Sequence, residues 1–372
     1  MEPGAQDALS LDEQLRPIAA AFAAGAQMAC AEPLGRGLIH GTWSVRLEEA
    51  GATHELVIQK LNTDVFGDPL RLMENVVRVT EHLRAKLEAE AVPDPGRHCL
   101  QVVTTASNEA CHRDGSGGFW RAFDRIGGAV SFQRPSGPEQ AEEAARAFAS
   151  FARRLADLPP PPLHETLPRF HDFSARLAAL EQAAAGDAHG RARDVRPELE
   201  ALGARCRQLA AALDAAGFAG LPRRVVHHDC KLDNLLFEAA GRRALCVIDL
   251  DTVMPGTLLS DFGELVRSST NTSAEDEPEL ARVDFDRELY AALARGYLEG
   301  AGPLLTEAER RSLPLAGPLL TLMNAVRFLT DHIEGDRYFR IERPDHNLTR
   351  SRVQLRLATR MLEDEDALRE PF

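Results

Sequence analysis

The sequence is short of basic residues, and that shortage excludes one class of partner. Lys and Arg number 43 against 57 Asp and Glu, for a formal net charge of −14 over 372 residues. Such a surface repels phosphate backbones, so nucleic acid is not expected as a general partner. A local basic pocket for a small anionic ligand remains compatible with this charge.

The sequence also lacks the marks of a metal cluster, a secretory leader and a membrane span. None of its six cysteines forms a Cys-x-x-Cys pair or clusters with His at zinc-site spacing. The first 15 residues, MEPGAQDALSLDEQL, are acidic and have no long apolar core. No apolar run approaches the roughly 18 residues that a span needs. We therefore expect a cytoplasmic protein with reduced thiols and no membrane contact.

The organisation of the chain indicates two lobes, because single cores seldom grow past roughly 250–300 residues. Apolar alternation around an acidic turn predicts a hairpin over residues 33–62, and two further strand candidates follow a helix. The later part consists mainly of alanine-rich helical patterns. We expect an α+β fold, with a small antiparallel β-rich N-lobe over residues 1–127 and a larger helical C-lobe over residues 128–372.

A polar cluster lies between two apolar strand-like runs in the second part. Residues 227–234 read HHDCKLDN, with Val225 and Val226 before them and Leu235 to Phe237 after them. Fifteen residues after Asn234, the run Val247-Ile248 ends in another carboxylate, Asp249. A capped turn would explain any one of these polar residues alone, but the full set at these intervals indicates chemistry.

Phosphoryl transfer requires the residue types that this cluster contains. It needs a carboxylate for the proton of the acceptor hydroxyl, oxygen ligands for Mg²⁺ and a cation near the transferring group. Asp229 fits the first role and Lys231 the last. Asn234 and Asp249 fit the metal role, since Mg²⁺ takes few protein oxygens beside water and phosphate oxygens.

The spacing H-x-D-x-x-x-x-N followed by an apolar-apolar-Asp strand resembles the catalytic loop and metal Asp of protein-kinase-like phosphotransferases. The longer run HHDCKLDNLLF…LCVIDLDTVMPGTLLSDFGELVR resembles the aminoglycoside phosphotransferase and choline kinase branch. KLDN, VIDLDTVMPG and RFLTDHIEGDRYF resemble bacterial N-acetylhexosamine 1-kinases. The resemblance covers nearly the whole chain and implies a two-lobe kinase-like fold that uses ATP and Mg²⁺.

Two further residues of this region are expected to support the loop. In the kinase-like pattern, the residue matched by His227 braces the loop by packing and hydrogen bonding. Asp261, in LLSDFGELV, is predicted to brace the loop through backbone amides, and the alternative is a plain N-cap. The letters DFG at residues 261–263 match the metal-binding motif of protein kinases, but Asp249 at the strand end fits the metal role better.

The segment GRGLIHGTW, residues 35–43, is interpreted as a nucleotide loop between two strands. Gly35 and Gly37 would let backbone amides approach phosphate, and His40 or Thr42 would donate hydrogen bonds. A common Gly-x-Gly hairpin is the structural alternative.

The strand LVIQKLN supplies a candidate cation for the phosphates. The resemblance implies that Lys60 pairs with the α- and β-phosphates and that Glu74 on the next helix orients it. In the protein-kinase pattern the lysine directly follows an apolar-x-apolar run, but here Gln59 stands between that run and Lys60. The alternative is that Gln59 faces the site and Lys60 lies on the surface. The alternative for Glu74 is an ordinary solvated helix residue.

The late helix, residues 324–339, is unusually polar for a core helix. Arg327 and Asp331 lie one turn apart and are interpreted as a substrate wall, since both side chains hydrogen-bond sugar hydroxyls. An ion pair on the surface is the alternative. The segment RFHDF, residues 169–173, also resembles the sugar-kinase pattern without an assigned role.

These observations predict an ATP- and Mg²⁺-dependent kinase of a small hydroxylated metabolite. The acceptor is predicted to be the anomeric hydroxyl of a hexose or N-acetylhexosamine, which gives a sugar 1-phosphate. The alternatives are an aminoglycoside, choline, ethanolamine or homoserine acceptor, and a nucleotide-binding pseudokinase. The identity of the sugar, the use of ATP or GTP and the oligomeric state stay open.

Overall fold

The computed structural model describes residues 11–35 and 39–372. The chain divides into two compact units, Met1–Ala129 and Val130–Phe372. Gly37, predicted to lie in the nucleotide loop, falls outside the described residues.

The first unit is built on an antiparallel sheet flanked by two helices. The strands, in sheet order, run β1–β2–β3–β6–β4, and β5 pairs with β6. Their bounds, with those of the helices, are α1 (Leu11–Phe22), β1 (Gln27–Pro33), β2 (Gly41–Glu49), β3 (Ala52–Lys60), α2 (Pro69–Ala89), β4 (Val102–Val103), β5 (His112–Arg113) and β6 (Phe119–Asp124).

The two faces of β3 meet different surroundings because side chains alternate along a strand. Leu56 and Ile58 are buried in one core cluster with residues of α1, such as Leu15 and Ile18. Trp120 of β6 belongs to the same cluster. One face of the sheet is therefore covered by α1.

The helix α2 begins where the sequence supplies a start signal. The side chain of Asp68 accepts a hydrogen bond from the backbone N–H of Arg71, and Pro69 occupies the first helical turn. Apolar residues at helical spacing, among them Leu72, Val76 and Val79, are buried. This stripe packs the helix into the first unit.

The second unit is mainly helical. Its strands are short, and β9 pairs antiparallel with β10, as β8 does with β11. The remaining elements are β7 (Ala129–Val130), α3 (Pro138–Arg154), α4 (Phe173–Gly186), α5 (Arg196–Ala215), β8 (Arg224–Val226), β9 (Leu235–Glu238), β10 (Ala244–Val247), β11 (Met254–Gly256), α6 (Leu258–Thr270), α7 (Arg287–Ala301), α8 (Glu307–Ser312), α9 (Ala316–Ile333), α10 (His346–Glu363) and α11 (Glu365–Arg369).

The packing of α7 against α3 depends on two glycines. A Cβ atom at Gly296 would overlap the backbone carbonyl of Glu142, and one at Gly300 would overlap that of Arg146. Because glycine has no Cβ atom, the two helix backbones approach closely at these positions. The helix α3 also contacts β8, which leads directly into the polar cluster of residues 227–234.

The helix α9 is the most apolar helix of the unit and is almost entirely buried. By length and composition alone, the segment Glu307–Ile333 would be able to cross a membrane, with a mean hydropathy of 1.2. The expectation that no apolar stretch approaches a span was therefore too strong. Because 89% of the apolar window is buried inside the unit, the segment has the character of a core helix.

The predicted α+β class is confirmed, with an antiparallel sheet in the first unit and helices dominating the second.

Candidate active site

The loop that joins β8 to β9 carries the polar cluster of residues 227–234. It ends in a short 3₁₀ turn, Leu232–Asn234, directly before β9. Asp261 of α6 accepts hydrogen bonds from the backbone N–H groups of His227 at 3.0 Å and His228 at 2.7 Å. The N-cap of α6 is Thr257. The predicted brace role of Asp261 is confirmed, and the N-cap alternative is excluded.

The ring of His227 fixes the start of the loop. Its Nδ1 atom accepts the backbone N–H of Asp229 at 3.3 Å, and its Nε2 atom lies 2.9 Å from the carbonyl oxygen of Ile248. Phe148 and Phe151 pack against it edge-on. His227 is thus the predicted packing and hydrogen-bonding brace.

The carboxylate of Asp229 is held by one of its two oxygens. Oδ2 accepts hydrogen bonds from Lys231 Nζ at 2.9 Å and from Asn234 Nδ2 at 2.7 Å. Within the described part of the chain, no donor bonds to Oδ1. The Asp229 side chain is 26% exposed. One oxygen therefore orients the group and the other is accessible to a hydroxyl.

The charges of Asp229 and Lys231 stabilise each other. Burial by itself raises the pKa of Asp229, but the ammonium of Lys231 outweighs it, so the pKa lies below its ordinary range. Burial by itself would lower the pKa of Lys231, but the carboxylates of Asp229 and Asp249 raise it above its ordinary value. At neutral pH the pair is ionised, with Asp229 able to accept a proton.

Asn234 directly precedes β9, and Asp249 follows the end of β10 by two residues. The carbonyl oxygen of Asn234 accepts the backbone N–H of Ile248 at 2.9 Å, which places Asp249 one residue beyond this bond. The amide nitrogen of Asn234 is bonded to Asp229, so its amide oxygen points away from that carboxylate. Asp249 adopts a left-handed backbone conformation, with φ of 60°. The backbones of Asn234 and Asp249 are thereby close together at this edge.

These two residues fit the coordination habits of Mg²⁺. Among residues 11–35 and 39–372, no group of three or more His, Cys, Asp or Glu side chains is placed to hold a metal ion. A site of one carboxylate and one amide oxygen leaves the remaining positions to water and phosphate oxygens. Mg²⁺ prefers that arrangement, whereas a structural zinc or calcium site needs more protein ligands.

The predicted substrate residue Arg327 lies in an aromatic enclosure, which we define as the rings of Phe170, Tyr338 and Phe339. Its guanidinium carbon is 5.3, 5.7 and 5.2 Å from the three ring centroids. It also donates to the side-chain oxygen of Asn324 at 3.3 Å. No carboxylate in the described chain forms an ion pair with it, so the alternative, a surface ion pair with Asp331, is not made.

Asp331 does not line a substrate pocket, which corrects the prediction. It is buried, and Oδ1 accepts the backbone N–H groups of Arg337 and Tyr338. Oδ2 accepts the N–H of Phe339 and the side-chain amide of Asn347. These four hydrogen bonds occupy both oxygens of the carboxylate. Asp331 therefore fixes the loop that carries Tyr338 and Phe339, and it does not itself face a substrate.

A pair of histidines connects the aromatic enclosure to the catalytic loop. The Nδ1 atoms of His228 and His171 are 3.2 Å apart, and His171 stacks on Phe170 with ring centroids 4.4 Å apart. Burial and the neighbouring His227 lower the pKa of His228 to about 3. Burial likewise lowers the pKa of His171. Neither histidine has a role predicted from the sequence, in which the segment RFHDF is the only signal for His171.

A second guanidinium lies beside this enclosure. Arg176 donates from Nε at 3.2 Å and from Nη2 at 2.9 Å to the carbonyl oxygen of Phe170. Burial, and then the positive charge of Arg327, lower the pKa of Arg176. Two arginine side chains therefore meet at Phe170, and the surroundings of this enclosure are electropositive.

The predicted nucleotide-loop residues lie around the start of β2. Gly35 adopts a positive φ of 74°. His40 is buried, and its Nδ1 accepts the backbone N–H of Asn62 at 3.0 Å. The hydroxyl of Thr42 accepts the side-chain amide of Gln59 at 3.0 Å. His40 and Thr42 thus tie the loop to β3 and the segment after it.

The structure places Lys60 on the face of the sheet opposite to the predicted one. It is paired in register with Trp120, and its Nζ atom lies 5.4 Å from the centroid of that ring. Trp120 belongs to the core beneath α1. Lys60 makes no ion pair with Glu74, and it is exposed. The alternative applies, because Gln59 points to the other face and Lys60 lies on the surface.

Comparison with known proteins places these features in a family context. The sequence profile of the phosphotransferase enzyme family (APH) matches residues 31–311. An aminoglycoside phosphotransferase from Alicyclobacillus acidocaldarius has a similar structure, with a TM-score of 0.60 and 15% identity over 99% of this chain and 98% of that one.

Two more solved structures share the fold. A spectinomycin phosphotransferase, in complex with ADP and spectinomycin, has a TM-score of 0.56 and 10% identity over 94% of this chain and 98% of its own. A choline/ethanolamine kinase family protein from Mesorhizobium loti has a TM-score of 0.52 and 17% identity over 97% and 100% of the two chains. At these identities the likeness shows the fold, and the expected kinase-like phosphotransferase fold is confirmed.

Proposed function

The chain belongs to the phosphotransferase enzyme family, and on that premise we propose that it is an ATP- and Mg²⁺-dependent kinase of a sugar. The acceptor group in this proposal is the anomeric hydroxyl of a hexose or N-acetylhexosamine. The observation that carries the kinase assignment is the geometry of Asp229, with one oxygen fixed by Lys231 and Asn234 and the other open.

Asp229 orients the acceptor hydroxyl and takes its proton. Its low pKa keeps it ionised at neutral pH, so it is ready to accept a hydrogen bond from an alcohol. A low pKa also makes it a weak base, which suits an acceptor more acidic than an ordinary alcohol. An anomeric hydroxyl meets this requirement. Positioning of the hydroxyl therefore contributes alongside proton transfer.

The donor end of the reaction requires a nucleotide and a metal ion. The ADP in the spectinomycin phosphotransferase complex supports a nucleotide donor for a chain of the same fold. Asn234 and Asp249 would hold Mg²⁺, which neutralises phosphate charge when it is bound. Lys231, beside Asp229, places a positive charge near the acceptor oxygen, where it stabilises negative charge that develops during transfer.

The aromatic enclosure favours an uncharged acceptor over a cationic one. Arg327 and Arg176 meet at Phe170, and their positive charges repel the ammonium groups of aminoglycosides, choline or ethanolamine. Arginine donates well to hydroxyl and amide oxygens, and aromatic rings pack against the C–H faces of sugars. A sugar satisfies both kinds of contact.

The rival acceptors come from the related structures. Spectinomycin is present in one of them, and another is named for choline and ethanolamine. The formal net charge of −14 would attract such cations at long range. We expect the local arginines to outweigh it, because charges at contact distance act more strongly than a diffuse surface potential. A pseudokinase is disfavoured by the assembled Asp229, Asn234 and Asp249.

The test is ATP consumption with Mg²⁺ across a panel of acceptors, with phosphorus NMR to locate the new phosphate. The panel contains N-acetylglucosamine, N-acetylgalactosamine, other hexoses, choline, ethanolamine, homoserine and an aminoglycoside. A 1-phosphate product from a sugar supports the whole proposal. Turnover with an ammonium-bearing acceptor alone keeps the kinase mechanism and overturns the sugar.

The matched control is Arg327→Gln, which removes the guanidinium charge while the catalytic loop stays intact. With a sugar acceptor, this variant is expected to raise the KM for the sugar about ten-fold or more, as lost charged hydrogen bonds do. The KM for ATP is expected to stay constant. An unchanged sugar KM would place the acceptor away from the aromatic enclosure.

A further inference from the structure

Two half-buried arginines of the second unit have no carboxylate to balance their charge. Arg176 of α4 donates to the carbonyl oxygen of Phe170, and the guanidinium of Arg327 of α9 lies over the ring of the same residue. Both arginines are half-buried, and within the described ranges neither forms an ion pair with Asp or Glu. Because buried charges are ordinarily paired, two neighbouring cations of this kind are suited to an anion from outside the chain.

The carboxylate that acts on Arg176 is that of Asp172, and it is committed to other partners. Its Oδ1 atom accepts the backbone N–H of Ala175 at 2.9 Å, and its Oδ2 atom accepts Nε of Arg169 at 3.0 Å. Burial and then the charge of Arg327 lower the pKa of Arg176, although Asp172 acts in the opposite direction. Arginine stays charged in proteins, so the positive charge of this region is not cancelled.

Each guanidinium keeps donors that no protein group uses. Arg176 bonds to Phe170 through Nε and Nη2, and in the described part of the chain its Nη1 group makes no hydrogen bond. Arg327 uses only Nη1, which donates to Asn324 at 3.3 Å. The aromatic enclosure offers ring faces, which attract a cation but form no charge-assisted hydrogen bond with its N–H groups. Both arginines therefore have N–H groups left for a ligand.

The groups between this pair of cations and the catalytic loop carry no negative charge. His171 and His228 are neutral at pH 7, because burial lowers the pKa of each ring. The ring centroids of Phe170 and His228 are 6.2 Å apart, and Asp229 is the residue after His228. The aromatic enclosure is therefore separated from the carboxylate of the catalytic loop by a single residue.

We infer that the acceptor is an acidic sugar, with a carboxylate or phosphate group, away from the anomeric carbon, that Arg176 and Arg327 bind. This inference rests on the proposed function and narrows its class of sugar. A carboxylate or phosphate supplies the counter-charge and several oxygens, and the planar guanidinium forms charge-assisted hydrogen bonds with both. A neutral sugar accepts from the same N–H groups but leaves the two charges unbalanced. Arg176 is thus a specificity-determining residue.

The test compares matched sugars with the native chain, ATP and Mg²⁺. The pairs differ only at the terminal carbon: glucose with glucuronic acid, galactose with galacturonic acid, and N-acetylglucosamine with its 6-phosphate. The acidic member of at least one pair is expected to have a kcat/KM about ten-fold or more above that of its neutral partner. A preference confined to the uronic acids identifies a carboxylate as the group bound, and one confined to the 6-phosphate identifies a phosphate.

Two identical substitutions locate the preference. In Arg176→Gln, the ratio of kcat/KM for the acidic sugar to that for its neutral partner is expected to fall about ten- to a hundred-fold. The matched control is Arg193→Gln, which removes one positive charge from an exposed position of the same unit. It is expected to change the ratio by less than about two-fold. An equal loss for both sugars in Arg176→Gln would show a merely structural role and overturn the inference.

The comparison with the native chain needs no substitution, so its result does not depend on how a variant folds. Neutral sugars that react as well as their acidic partners would overturn the inference and leave the proposed function standing. A native chain that phosphorylates no sugar of either kind would overturn the proposed function and the inference together.

Discussion

Asp229 is positioned by its immediate sequence neighbours as much as by the fold. Lys231 and Asn234, two and five residues farther along, both donate to the same carboxylate oxygen. A side chain with two short bonds to one oxygen has little rotational freedom, so the second oxygen has a fixed direction. The loop therefore presents one oriented lone-pair region to an acceptor without further adjustment.

Replacing Asp229 by Asn is expected to reduce kcat by at least about a hundred-fold, because the amide neither accepts the proton nor carries the charge. The size of the side chain is unchanged, so the melting temperature and ADP affinity are expected to stay near those of the native chain. Steady-state rates, calorimetry and thermal melting together check this. Activity close to the native rate would remove Asp229 from the proposed role.

The pH profile tests the partnership with Lys231. The native Asp229 has a pKa below the usual value of about 3.9. Protonation of this carboxylate should therefore lower kcat/KM only when the pH falls below that value. In Lys231→Met, burial still raises the pKa and the ammonium no longer lowers it. The acid limb of kcat/KM is therefore expected to move to higher pH.

Lys231→Arg is the matched control, since it keeps the positive charge. Its acid limb is expected to stay at low pH even where its rate falls. If the limb of Lys231→Met coincided with that of Lys231→Arg, the charge of Lys231 would have no part in setting the protonation of Asp229.

Sequence spacing predicted the residues of the catalytic loop well, since Asp229, Lys231 and Asn234 are close neighbours along the chain. The predicted direction of the Lys60 side chain was wrong for a different reason. Strand alternation places it on the face of Ile58, and the sequence does not reveal which helix covers which face. The pairing of Gln59 with Arg121 could not be predicted either, because it joins residues far apart in sequence.

At the scale of elements, two helices use carboxylates to shape neighbouring loops. Asp261 of α6 accepts two backbone N–H groups of the catalytic loop, and Asp331 of α9 accepts three from the loop that follows α9. Backbone N–H groups need partners when they are buried, so each carboxylate satisfies several at once. The role of Asp261 was predicted from the sequence, whereas Asp331 was predicted to be a substrate residue.

Asp331→Ala is expected to release residues 337–339 from their position. Buried N–H groups left without an acceptor destabilise the fold by about 1–3 kcal/mol each, partly offset where water reaches them. Because Tyr338 and Phe339 lie against Arg327, the KM for the acceptor should rise about ten-fold, with the KM for ATP unchanged. Steady-state kinetics with both substrates varied in turn measures this.

The control for that experiment is Glu334→Gln, an exposed acidic residue at the end of the same helix. Its substitution is expected to change both KM values by less than about two-fold. An equal rise in acceptor KM in both variants would point to the charge of the region and not to the loop anchor.

At the scale of the whole molecule, the distribution of cysteines follows burial. All six are free thiols, and five of them are buried, with only Cys30 partly accessible. Burial raises the pKa of Cys206 to about 12 and raises those of Cys99, Cys111 and Cys230 as well. Thiols in such surroundings react slowly, because the thiolate is the reactive form.

A thiol-reactive chromogenic disulfide is therefore expected to label one cysteine, Cys30, quickly in the native protein at pH 8. All six should react after unfolding in denaturant. Mass spectrometry of the labelled peptides identifies the fast site. Rapid labelling of Cys230 would mean that the loop beside Asp229 opens in solution, in conflict with its bracing by His227 and Asp261.

The overall class of the chain could be predicted because hydrophobic periodicity changes from strand-like to helical along the sequence. The packing of α7 on α3 could not, since Gly296 and Gly300 have meaning only once their partners are known. The helix α9 shows the same limit, because its apolar composition suits a buried core helix and a membrane span equally well.

The anchoring of residues 337–339 through their backbone has an evolutionary consequence. Asp331 bonds to N–H groups, which every amino acid except proline possesses, so it places no demand on the three side chains. Mutations at Tyr338 or Phe339 would alter the wall around Arg327 while the chain path persists. If the acceptor contacts this wall, as we propose, single substitutions at these two positions would exchange one acceptor for another while the catalytic loop stays unchanged.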